Sequence, residues 1–517
     1  MELNSLPTFY TLVMRALAKY PARIAFRQGD AQLSYRQVSA LIAGEQAVFR
    51  THGFGRGAKI AFLSENRPEP WCANVAAQGL GIATTWLHPL SALDLHVDQL
   101  AELGAVALVI DTDAFATRAR ELADRVPGLT IFSVGAATVG HDLMHLADES
   151  ADVPAQDIAS PGDIVNLSLT GGTTGRSKIV MKSGASVAMQ SITLNGELGM
   201  PDCPRYLALA PISHVSGQLI LPTLMRGGTI HLARKFDVDE FVRIVERERI
   251  NATLMVPTMV YRLLDAAPDG AALQSLELIA YAGSVISPDR LGQAMDLVGP
   301  VFAQIYAQAE CTPIAILSKA HHDRGDPASL QACGTPVSTV QVAIASDAGE
   351  YESDPGKVGE ICVRGPAVTA GYLDNPDETG VALADDWLHT GDIGFIDEFG
   401  RLSIVDRKKD MIVTGGSNVY PREVEDLLNS HPDVSSCAVI GVPHESWGEA
   451  VHAFIILRPG HELPAEALQR HVRDRKGPLY APKTIDIVGS LPLTAVGKVD
   501  KQALRAPFWK GRARNVA

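Results

Sequence analysis

The pattern of apolar and polar positions predicts short buried strands that alternate with helices in the first part of the chain. Apolar residues recur at helical spacing over 9–20, and the run KIAFLS at 59–64 is typical of a buried strand. Further strands are predicted at 105–111 and 129–134, with a helix of small apolar residues at 71–81. Strands that alternate with helices indicate βαβ units and a mostly parallel sheet.

The same alternation returns after a polar loop at about 148–162, which predicts a second layered α/β unit. An amphipathic helix is predicted at 237–249 because its apolar positions share one face. The other elements of this unit are an apolar helix candidate and short strands at 215–225, 206–210, 229–232, 252–256, 276–282 and 301–306.

The character of the chain changes after about residue 335, where short strands with close turns predict a small antiparallel β unit. Its strands are expected at 340–345, 359–364, 387–389, 393–396 and 402–405. The charged run DRKKD at 406–410 follows, and beyond it lies an α+β segment with helices at 421–429 and 465–473 and strands at 436–442 and 450–457. We therefore expect an α/β protein with a large domain at 1–407 and a small, hinged α+β domain at 408–517.

Composition narrows the functional classes. The chain has 517 residues, 46% hydrophobic and 20% charged, which describes an ordinary globular protein with two or more domains. A net charge of −14 argues against a nucleic-acid partner, which needs a basic face. Neither an apolar run of membrane-span length nor a signal peptide is visible, and the six cysteines are scattered without CxxC spacing. A cytoplasmic protein with buried free thiols is expected.

The stretch LTGGTTGRSKIVMK at 169–182 carries the first candidate chemistry. Apolar, strand-like runs flank a loop rich in glycine and threonine, and Lys178 follows the loop. Free backbone N–H groups in such a loop form an anion site, to which hydroxyl groups and an ammonium group add donors. It is not a Walker A motif, because Lys178 precedes Ile179 rather than Ser or Thr. A phosphate-binding loop is favoured over a plain surface turn.

Further motifs follow this loop in a fixed order. They are APISHVSG at 210–217, YAGS at 281–284, YAQAE at 306–310, TGD at 390–392, DRKKD at 406–410 and LTAVGK at 493–498. In order and spacing they resemble the adenylate-forming superfamily, which includes AMP-forming acyl- and aryl-CoA ligases, adenylation domains and firefly-type luciferases. The resemblance covers nearly the whole chain, including the N-terminal segments 20–40 and 55–66.

The resemblance implies a set of nucleotide-binding residues. Those of the phosphate loop are Thr170, Gly172, Thr173, Thr174, Gly175 and Lys178. Those beside AMP are Gly283, Ser284, Tyr306 and Gln308, with Asp392 on the ribose and Arg407 on ribose or phosphate. Glu310 and Thr174 would hold Mg²⁺.

The resemblance also implies residues for the chemistry. His214 would border the acyl carboxylate, and Lys498 would be the adenylation lysine. Lys409 would lie at the hinge, and Gly415 and Gly416 would line the coenzyme A path. Taken singly, each has a plainer interpretation: His214 as a core histidine, Lys498 as a surface lysine, and Glu310 and Asp392 as strand-end or turn acids. The triplet His321-His322-Asp323 is interpreted as solvated.

The chemistry itself explains why such residues are needed. An acyl carboxylate attacks the α-phosphorus of ATP and pyrophosphate leaves, so positive charge must meet a transition state that gains negative charge. The sequence departs from the family pattern where Gly171, Ser177 and Ile179 replace Ser, Pro and Gly, and where Ala309 replaces a hydroxyl residue. One lost neutral hydrogen bond is worth roughly 0.5–1.5 kcal/mol, which retunes a site without abolishing it.

The sequence therefore predicts an AMP-forming ligase that uses ATP and Mg²⁺ and transfers the acyl group to coenzyme A. The alternatives are an adenylating enzyme whose acceptor is a carrier-protein thiol, an amine or another small nucleophile, and a silent nucleotide or acyl sensor. An apolar or aromatic acid is expected, because the segments 214–218, 257–262 and 281–286 are mostly small or apolar, with Ser216 and Ser284 as polar points. The protein is expected to be a monomer or homodimer.

Overall fold

The structure is a computed structural model that describes residues 6–136, 139–150, 153–169, 178–284, 286–346, 349–352, 354–414, 417–493 and 499–510. The α-helices of this part of the chain are α1 (Phe9–Lys19), α2 (Tyr35–Thr51), α3 (Pro68–Gly79), α4 (Leu93–Leu103), α5 (Thr112–Arg125), α6 (Leu143–Glu149), α7 (Gly184–Glu197), α8 (Ile220–Met225), α9 (Val238–Glu248), α10 (Pro257–Ala266), α11 (Pro288–Val298), α12 (Pro327–Gln331), α13 (Pro376–Ala382), α14 (Pro421–Asn429), α15 (Ala465–Lys476) and α16 (Lys501–Trp509). Short 3₁₀ helices lie at Val215–Leu219, Gly270–Leu273, Lys319–His321, Ala384–Asp386 and Lys408–Asp410.

The strands complete the set of elements. They are β1 (Ile24–Gln28), β2 (Ala31–Ser34), β3 (Lys59–Leu63), β4 (Ala83–Trp86), β5 (Ala107–Asp111), β6 (Thr130–Val134), β7 (His141–Asp142), β8 (Ile164–Leu169), β9 (Ile179–Ser183), β10 (Arg205–Ala208), β11 (Thr229–Leu232), β12 (Ala252–Met255), β13 (Leu278–Ala282), β14 (Phe302–Tyr306), β15 (Ala315–Leu317), β16 (Thr335–Pro336), β17 (Gln341–Ala345), β18 (Tyr351–Glu352), β19 (Gly359–Arg364), β20 (Gly371–Tyr372), β21 (Leu388–Ile396), β22 (Leu402–Arg407), β23 (Ile412–Thr414), β24 (Ser417–Val419), β25 (Val434–His444), β26 (Gly448–Leu457) and β27 (Thr484–Ile487).

Two large sheets form the first part of the fold. One has eight strands in the order β20-β9-β8-β4-β3-β5-β6-β7, and its β4, β3, β5 and β6 pair in parallel. The other has nine strands in the order β16-β15-β14-β13-β12-β10-β11-β1-β2, and runs parallel from β14 to β1. These are the two layered α/β units that the sequence predicted.

The two sheets exchange strands. The N-terminal hairpin β1–β2 joins the nine-stranded sheet through the parallel pair β1–β11, rather than the sheet of its sequence neighbours. Conversely, β20 comes from late in the chain and pairs with β9 at the edge of the eight-stranded sheet. The hydrophobic pattern does not reveal these partners, because each strand would be equally apolar in either sheet.

A small five-stranded antiparallel sheet, β18-β17-β19-β21-β22, follows as expected. The predicted separate strands at 387–389 and 393–396 form one strand, Leu388–Ile396. The TGD motif between them forms a bulge, with Gly391 at a φ of 69°, and Asp392 pairs with Arg407 of β22. The candidate helix at 215–225 is a 3₁₀ turn followed by the short α8.

The C-terminal α+β segment has its own core. Strands β25 and β26 form a long antiparallel pair, and α14 and α15 pack against it around Val424, Leu428, Leu468 and Val472. Helix α14 begins and ends where the sequence predicted, because Pro421 suits a first helical position and its apolar residues share one face. The boundary predicted between 407 and 408 lies at the junction of β22 and the 3₁₀ turn Lys408–Asp410. It remains a prediction.

Candidate active site

The candidate site lies where the carboxyl ends of the two parallel sheets face each other. His88 follows β4, and in the other sheet His214 follows β10. The rings of these two histidines meet edge to face with their centroids 5.1 Å apart, so the two sheet edges are in contact at this point. The carboxyl edge of parallel strands is where ligands bind in open α/β sheets.

The YAQAE and TGD motifs meet around Asp392, as expected. Its carboxylate is 4% exposed, and its Oδ2 accepts hydrogen bonds from the Tyr306 hydroxyl at 2.7 Å and from Gln308 Nε2 at 2.6 Å. Gln308 Nε2 also donates to the Thr390 carbonyl at 2.9 Å, which ties the two motifs together. Burial and the adjacent Asp392 charge raise the pKa of the Tyr306 hydroxyl, so it stays a protonated donor.

Arg407 lies directly beside Asp392. The two residues are register partners in the antiparallel pair β21–β22, and Arg407 Nε lies 3.3 Å from Asp392 Oδ1. The Arg407 side chain remains 49% exposed, so its guanidinium also faces open space beside the Asp392 carboxylate. A buried acceptor and an exposed cation side by side match a ligand that has both hydroxyl and phosphate groups.

Glu310 lies in a second polar cluster, which includes Lys178. The Tyr372 hydroxyl donates to Glu310 Oε1 at 2.9 Å, and Lys178 Nζ lies 5.1 Å from the Tyr372 ring centroid. Lys178 also forms an ion pair with Glu378 of α13. Tyr372 reaches this cluster because its strand β20 pairs with β9, which begins at the residue after Lys178. The sequence did not predict Tyr372 or Glu378 because both lie about 200 residues from Lys178.

His214 lies in a partly buried, uncharged environment. Its Nδ1 lies 2.7 Å from the Ser213 hydroxyl, and burial lowers its pKa from 6.5 to about 4. Burial also lowers the pKa of His88, whose Nδ1 accepts the Leu90 N–H at 3.2 Å. The His88 proton is therefore on Nε2, so the pair presents neutral imidazoles rather than positive charge.

His88 is a site residue that the sequence analysis missed. Its signal was its position directly after a buried strand of the first α/β unit, the kind of place where parallel sheets carry functional groups. Asn66 follows β3 in the same way and contacts the loop after β10. Its Nδ2 donates hydrogen bonds to the Ala210 and Ala233 carbonyls at 3.1 and 2.9 Å, and its Oδ1 accepts one from the Ile212 N–H at 2.8 Å. This asparagine thereby orients the loop that leads to His214.

The predicted lining of the acid pocket is partly corrected. Gly283, with φ of 95°, and Ser284 follow β13 at the carboxyl edge and are exposed, as a residue beside a ligand requires. Ser216, by contrast, is 0% exposed and shares a hydrogen bond of 2.8 Å with the Tyr206 hydroxyl. Ser216 was expected as a polar point of the pocket, and that is wrong because its hydroxyl is used inside the core.

The region around the predicted hinge residue Lys409 is held by a hydrogen bond and an ion pair. Asp406 is 7% exposed and accepts the Arg422 N–H at 2.8 Å, and burial raises its pKa to about 6. Asp410 Oδ1 lies 2.6 Å from Arg505 Nη2, so the Lys408–Asp410 turn is tied to helix α16. Lys409 is exposed at the centre of this turn.

Several predicted site residues lie outside the described residues. They are Thr170, Gly171, Gly172, Thr173, Thr174, Gly175 and Ser177 of the phosphate loop, Gly415 and Gly416 of the coenzyme A path, and Lys498. The apolar runs on either side of this loop form the strands β8 and β9, as the sequence predicted, and the two strands pair antiparallel.

Two other expectations need correction. His322 was interpreted as solvated but is 5% exposed, and its Nε2 lies 3.0 Å from the buried Tyr281 hydroxyl. Cys203 was expected to be buried and is exposed, while the other cysteines are buried free thiols. Among the described helices, none is long and apolar enough to cross a membrane.

Comparisons with known proteins identify the family of this chain. The AMP-binding enzyme family matches residues 13–373, and the AMP-binding enzyme C-terminal domain matches residues 423–498. A medium/long-chain-fatty-acid–CoA ligase of Mycobacterium tuberculosis, FadD8, is 40% identical over 98% of this chain and 91% of its own. A feruloyl-CoA synthase of an Amycolatopsis species is 32% identical over 94% of this chain and 96% of its own.

A solved structure is also similar. The amide bond synthetase McbA of Marinactinospora thermotolerans aligns with a TM-score of 0.88 at 30% identity, over 96% of this chain and 99% of the synthetase. The predicted α/β architecture and AMP-forming acid–CoA ligase class are confirmed by these matches. The chain belongs to the AMP-binding enzyme family.

Proposed function

We propose that this ligase adenylates an apolar or aromatic carboxylic acid at the junction of the two sheets and then transfers the acyl group to coenzyme A. The observation that carries the proposal is the Asp392 cluster: a buried carboxylate held by Tyr306 and Gln308 beside the exposed guanidinium of Arg407. This arrangement suits a ribose and a phosphate.

We assign roles to the residues of that cluster. Asp392 accepts hydrogen bonds from the ribose hydroxyls through Oδ1, the carboxylate oxygen that lies beside Arg407. Arg407 binds the ribose or the α-phosphate, and Tyr306 and Gln308 fix the Asp392 carboxylate in place. Gly283 and Ser284 lie beside the nucleotide and the acyl group, at the end of β13.

The residues present fit a magnesium ion. Mg²⁺ in nucleotide sites is held by one or two carboxylates, phosphate oxygens and water. Glu310 Oε1 accepts one hydrogen bond, and its Oε2 makes none within the described residues, so that oxygen can serve as a ligand. Glu310, together with Thr174, would hold the ion, which would stabilise charge on the phosphates. Lys178 and the loop residues Thr170, Gly172, Thr173 and Gly175 would hold the leaving phosphates.

The acyl side of the site would orient the substrate carboxylate without neutralising it. His88 and His214 are neutral, so they donate or accept hydrogen bonds and leave the carboxylate nucleophilic. Lys498 would supply the positive charge near the α-phosphate for the first half-reaction. Motion about Lys409 would then bring the segment with Gly415 and Gly416 into place for coenzyme A.

The substrate class follows from the lining and the relatives. Val256, Met259 and Ala282 are apolar residues at the ends of β12 and β13 and the start of α10, and they favour an apolar body. The two curated relatives reported above are named for a medium- or long-chain fatty acid and for ferulate. An extended aliphatic or aryl chain ending in a carboxylate fits both sets of observations.

The test is a screen of purified protein with ATP, Mg²⁺ and coenzyme A against aliphatic and aromatic acids, with AMP and thioester measured together. We expect AMP and thioester in equal amounts for at least one apolar acid. The Lys498→Ala variant should lose adenylation, and the matched Lys510→Ala variant should not. No AMP from any acid would refute the proposal.

A second candidate changes only the acceptor. The similar solved structure is named as an amide bond synthetase, so an amine is a specific alternative to the thiol. An amine panel added to the same assay decides between them. Amide formed faster than thioester at equal acceptor concentration would favour the amine, and thioester alone would favour coenzyme A.

A further inference from the structure

A second polar cavity lies on the opposite edge of the nine-stranded sheet. Strands β1, β11 and β10 are parallel neighbours, so their first residues Ile24, Thr229 and Arg205 share the amino edge of the sheet. These residues line a cavity of about 620 Å³. The candidate active site lies at the carboxyl edge of the same sheet. The length of the strands therefore separates this cavity from the active site.

This cavity concentrates positive charge in an acidic protein. Three guanidinium groups line it, from Arg23, Arg27 and Arg205, and Glu248 is its acidic lining residue. The whole chain, by contrast, has a net charge of −14. Like charges gathered at one place repel one another, so a cluster of this kind is stabilised when an anion binds between them.

Backbone contacts hold two of the guanidinium groups in position. Arg23 Nη1 donates to the Gly227 carbonyl at 2.9 Å, and its guanidinium carbon lies 4.5 Å from the Tyr20 ring centroid. Arg205 Nε donates to the Arg249 carbonyl at 2.5 Å, and within the described residues its two Nη groups make no hydrogen bond or ion pair. Arg205 therefore presents an oriented pair of donors that have no protein acceptor there.

Arg27 and His231 complete the site from the face of the sheet. They are register partners in the β1–β11 pair, so their side chains lie on the same face. Arg27 is 42% exposed and lies 3.7 Å from Glu248, a distance that leaves most of its donors available. His231 is 7% exposed, and burial lowers its pKa to about 4, so it forms a neutral floor to the cavity.

We propose that this cavity is a binding site for a small polyanion, whose phosphate or carboxylate groups pair with Arg27 and Arg205. Guanidinium groups match both oxyanions through paired N–H donors, and such charge-assisted hydrogen bonds are stronger than neutral ones. The cavity volume exceeds that of a single phosphate ion and accommodates an anion with two or more charged groups. The cavity lies at the amino edge of these strands, whereas the acid and nucleotide sites proposed above lie at the carboxyl edge.

An exposed cysteine in this cavity makes it possible to measure whether an anion is bound there. Cys203 lines the cavity, with its Sγ 3.1 Å from Arg23 Nη1. It is exposed, whereas the other cysteines, Cys72, Cys311, Cys333, Cys362 and Cys437, are buried. A thiol reagent applied to the native protein therefore labels Cys203 first, and labelling of the buried thiols reports loss of the fold.

The experiment measures the rate at which N-ethylmaleimide labels Cys203, followed by peptide mass spectrometry. The reagent is uncharged, so added anions do not repel it. Pyrophosphate and citrate are titrated in separate arms, against sodium chloride at matched ionic strength. At ten times the dissociation constant of the bound anion, labelling should slow about tenfold, because only the unoccupied fraction reacts. Protection by one arm identifies phosphate or carboxylate as the preferred group, and protection by both identifies a general oxyanion site.

Variants separate binding in the cavity from effects elsewhere. Arg27→Gln with Arg205→Gln should abolish the protection, and the milder Arg205→Lys should weaken it. Arg243→Ala, an exposed arginine on α9 that does not line the cavity, should leave it unchanged. The proposal is overturned when neither anion protects beyond sodium chloride, or when protection persists in the double variant with its buried thiols still unreactive. Neither result depends on ligase activity.

Discussion

Asp392 is a single carboxylate on which several contacts of the site converge. Its Oδ2 accepts hydrogen bonds from Tyr306 and Gln308, and its Oδ1 forms an ion pair with Arg407. Because it is buried, each of these partners compensates for the water that the carboxylate has lost. Replacing its charge changes every contact at once, so its contribution can be measured with one substitution.

We expect Asp392→Asn to lower kcat/KM for ATP by about 10- to 150-fold, corresponding to the roughly 1.5–3 kcal/mol of hydrogen bonds to a charged group. The new amide would point a donor at the donors of Gln308 or Tyr306. Pyrophosphate release at varied ATP measures the effect. Asp397→Asn, in a turn of the same small sheet, is the matched control and should remain within twofold. Equal effects of both substitutions would contradict the assigned role.

His214 makes a prediction about pH. Its pKa is about 4 in the folded protein and near 6.5 when unfolded, so between these values only the unfolded chain takes up the proton. The folded state carries no penalty from His214 above pH 6.5, and loses stability as the pH falls toward 4. At pH 5 this loss amounts to about 2 kcal/mol.

His214→Gln removes this proton uptake. The free energy of unfolding of the variant minus that of wild type should therefore be about 2 kcal/mol larger at pH 5.0 than at pH 7.5, because only wild type is destabilised by acid through this residue. Urea titrations of both proteins at the two pH values give the difference directly. A difference between variant and wild type that does not change with pH would show that His214 is not held neutral.

At the scale of elements, helix α2 contains an unexpected buried acid. Glu45 is 0% exposed, and neither carboxylate oxygen has a hydrogen-bond partner among the described residues. It lies where α2 packs against α3 and α6, and burial raises its pKa well above the ordinary value. The carboxyl group is therefore either protonated and neutral, or ionised at a high cost in folding free energy.

We expect Glu45→Leu to raise the free energy of unfolding at pH 7 by about 1–3 kcal/mol, since it removes an unpaired polar group from the core. Glu45→Gln keeps the size and removes only the ionisation. Its gain over wild type should be larger at pH 7 than at pH 5, because wild-type stability falls as the pH rises above the unfolded pKa of this acid. Thermal unfolding at the two pH values measures both effects. A destabilised Glu45→Leu variant would indicate a function for the carboxyl group.

Elements and their partners were not equally predictable. Helix α14 and strand β19 have the bounds that the sequence predicted, because apolar spacing and Pro421 are local signals. The choice of sheet for β1 and the approach of Tyr372 to Glu310 were not predictable, since they depend on residues far away in the chain. The burial of Glu45 was missed because a glutamate in an amphipathic helix ordinarily faces water.

At the scale of the whole molecule, an ion pair joins the Lys408–Asp410 turn, where we propose the hinge, to the C-terminal helix α16. Arg505 of α16 and Asp410 of the hinge turn are each 14% exposed, and Lys501 of the same helix pairs with Glu425 of α14 at 2.7 Å. Lys498 lies three residues before Lys501 in the sequence. Helix α16 therefore follows directly, in the sequence, the segment with the proposed adenylation lysine, and it also contacts the Lys408–Asp410 turn.

We expect Arg505→Ala to lower kcat of adenylation at least tenfold while changing KM for ATP less than threefold, because it loosens the placement of Lys498 rather than the nucleotide site. Single-turnover pyrophosphate release and AMP release resolve the two half-reactions. Arg505→Lys should restore most of the rate, and Arg475→Ala, on the neighbouring helix α15, serves as control. A uniform rise in KM with unchanged kcat would contradict a positioning role.

The exchange of strands between the two sheets has a consequence for synthesis on the ribosome. The hairpin β1–β2 emerges first, yet its partner β11 follows about 205 residues later. At bacterial or eukaryotic elongation rates this is a wait of roughly 10–40 s. Strand β9 likewise keeps an open edge until β20 has been translated. Nascent chains of intermediate length therefore expose strand edges that a molecular chaperone can shield. A chain truncated before β11 would contain neither of the two large sheets in complete form.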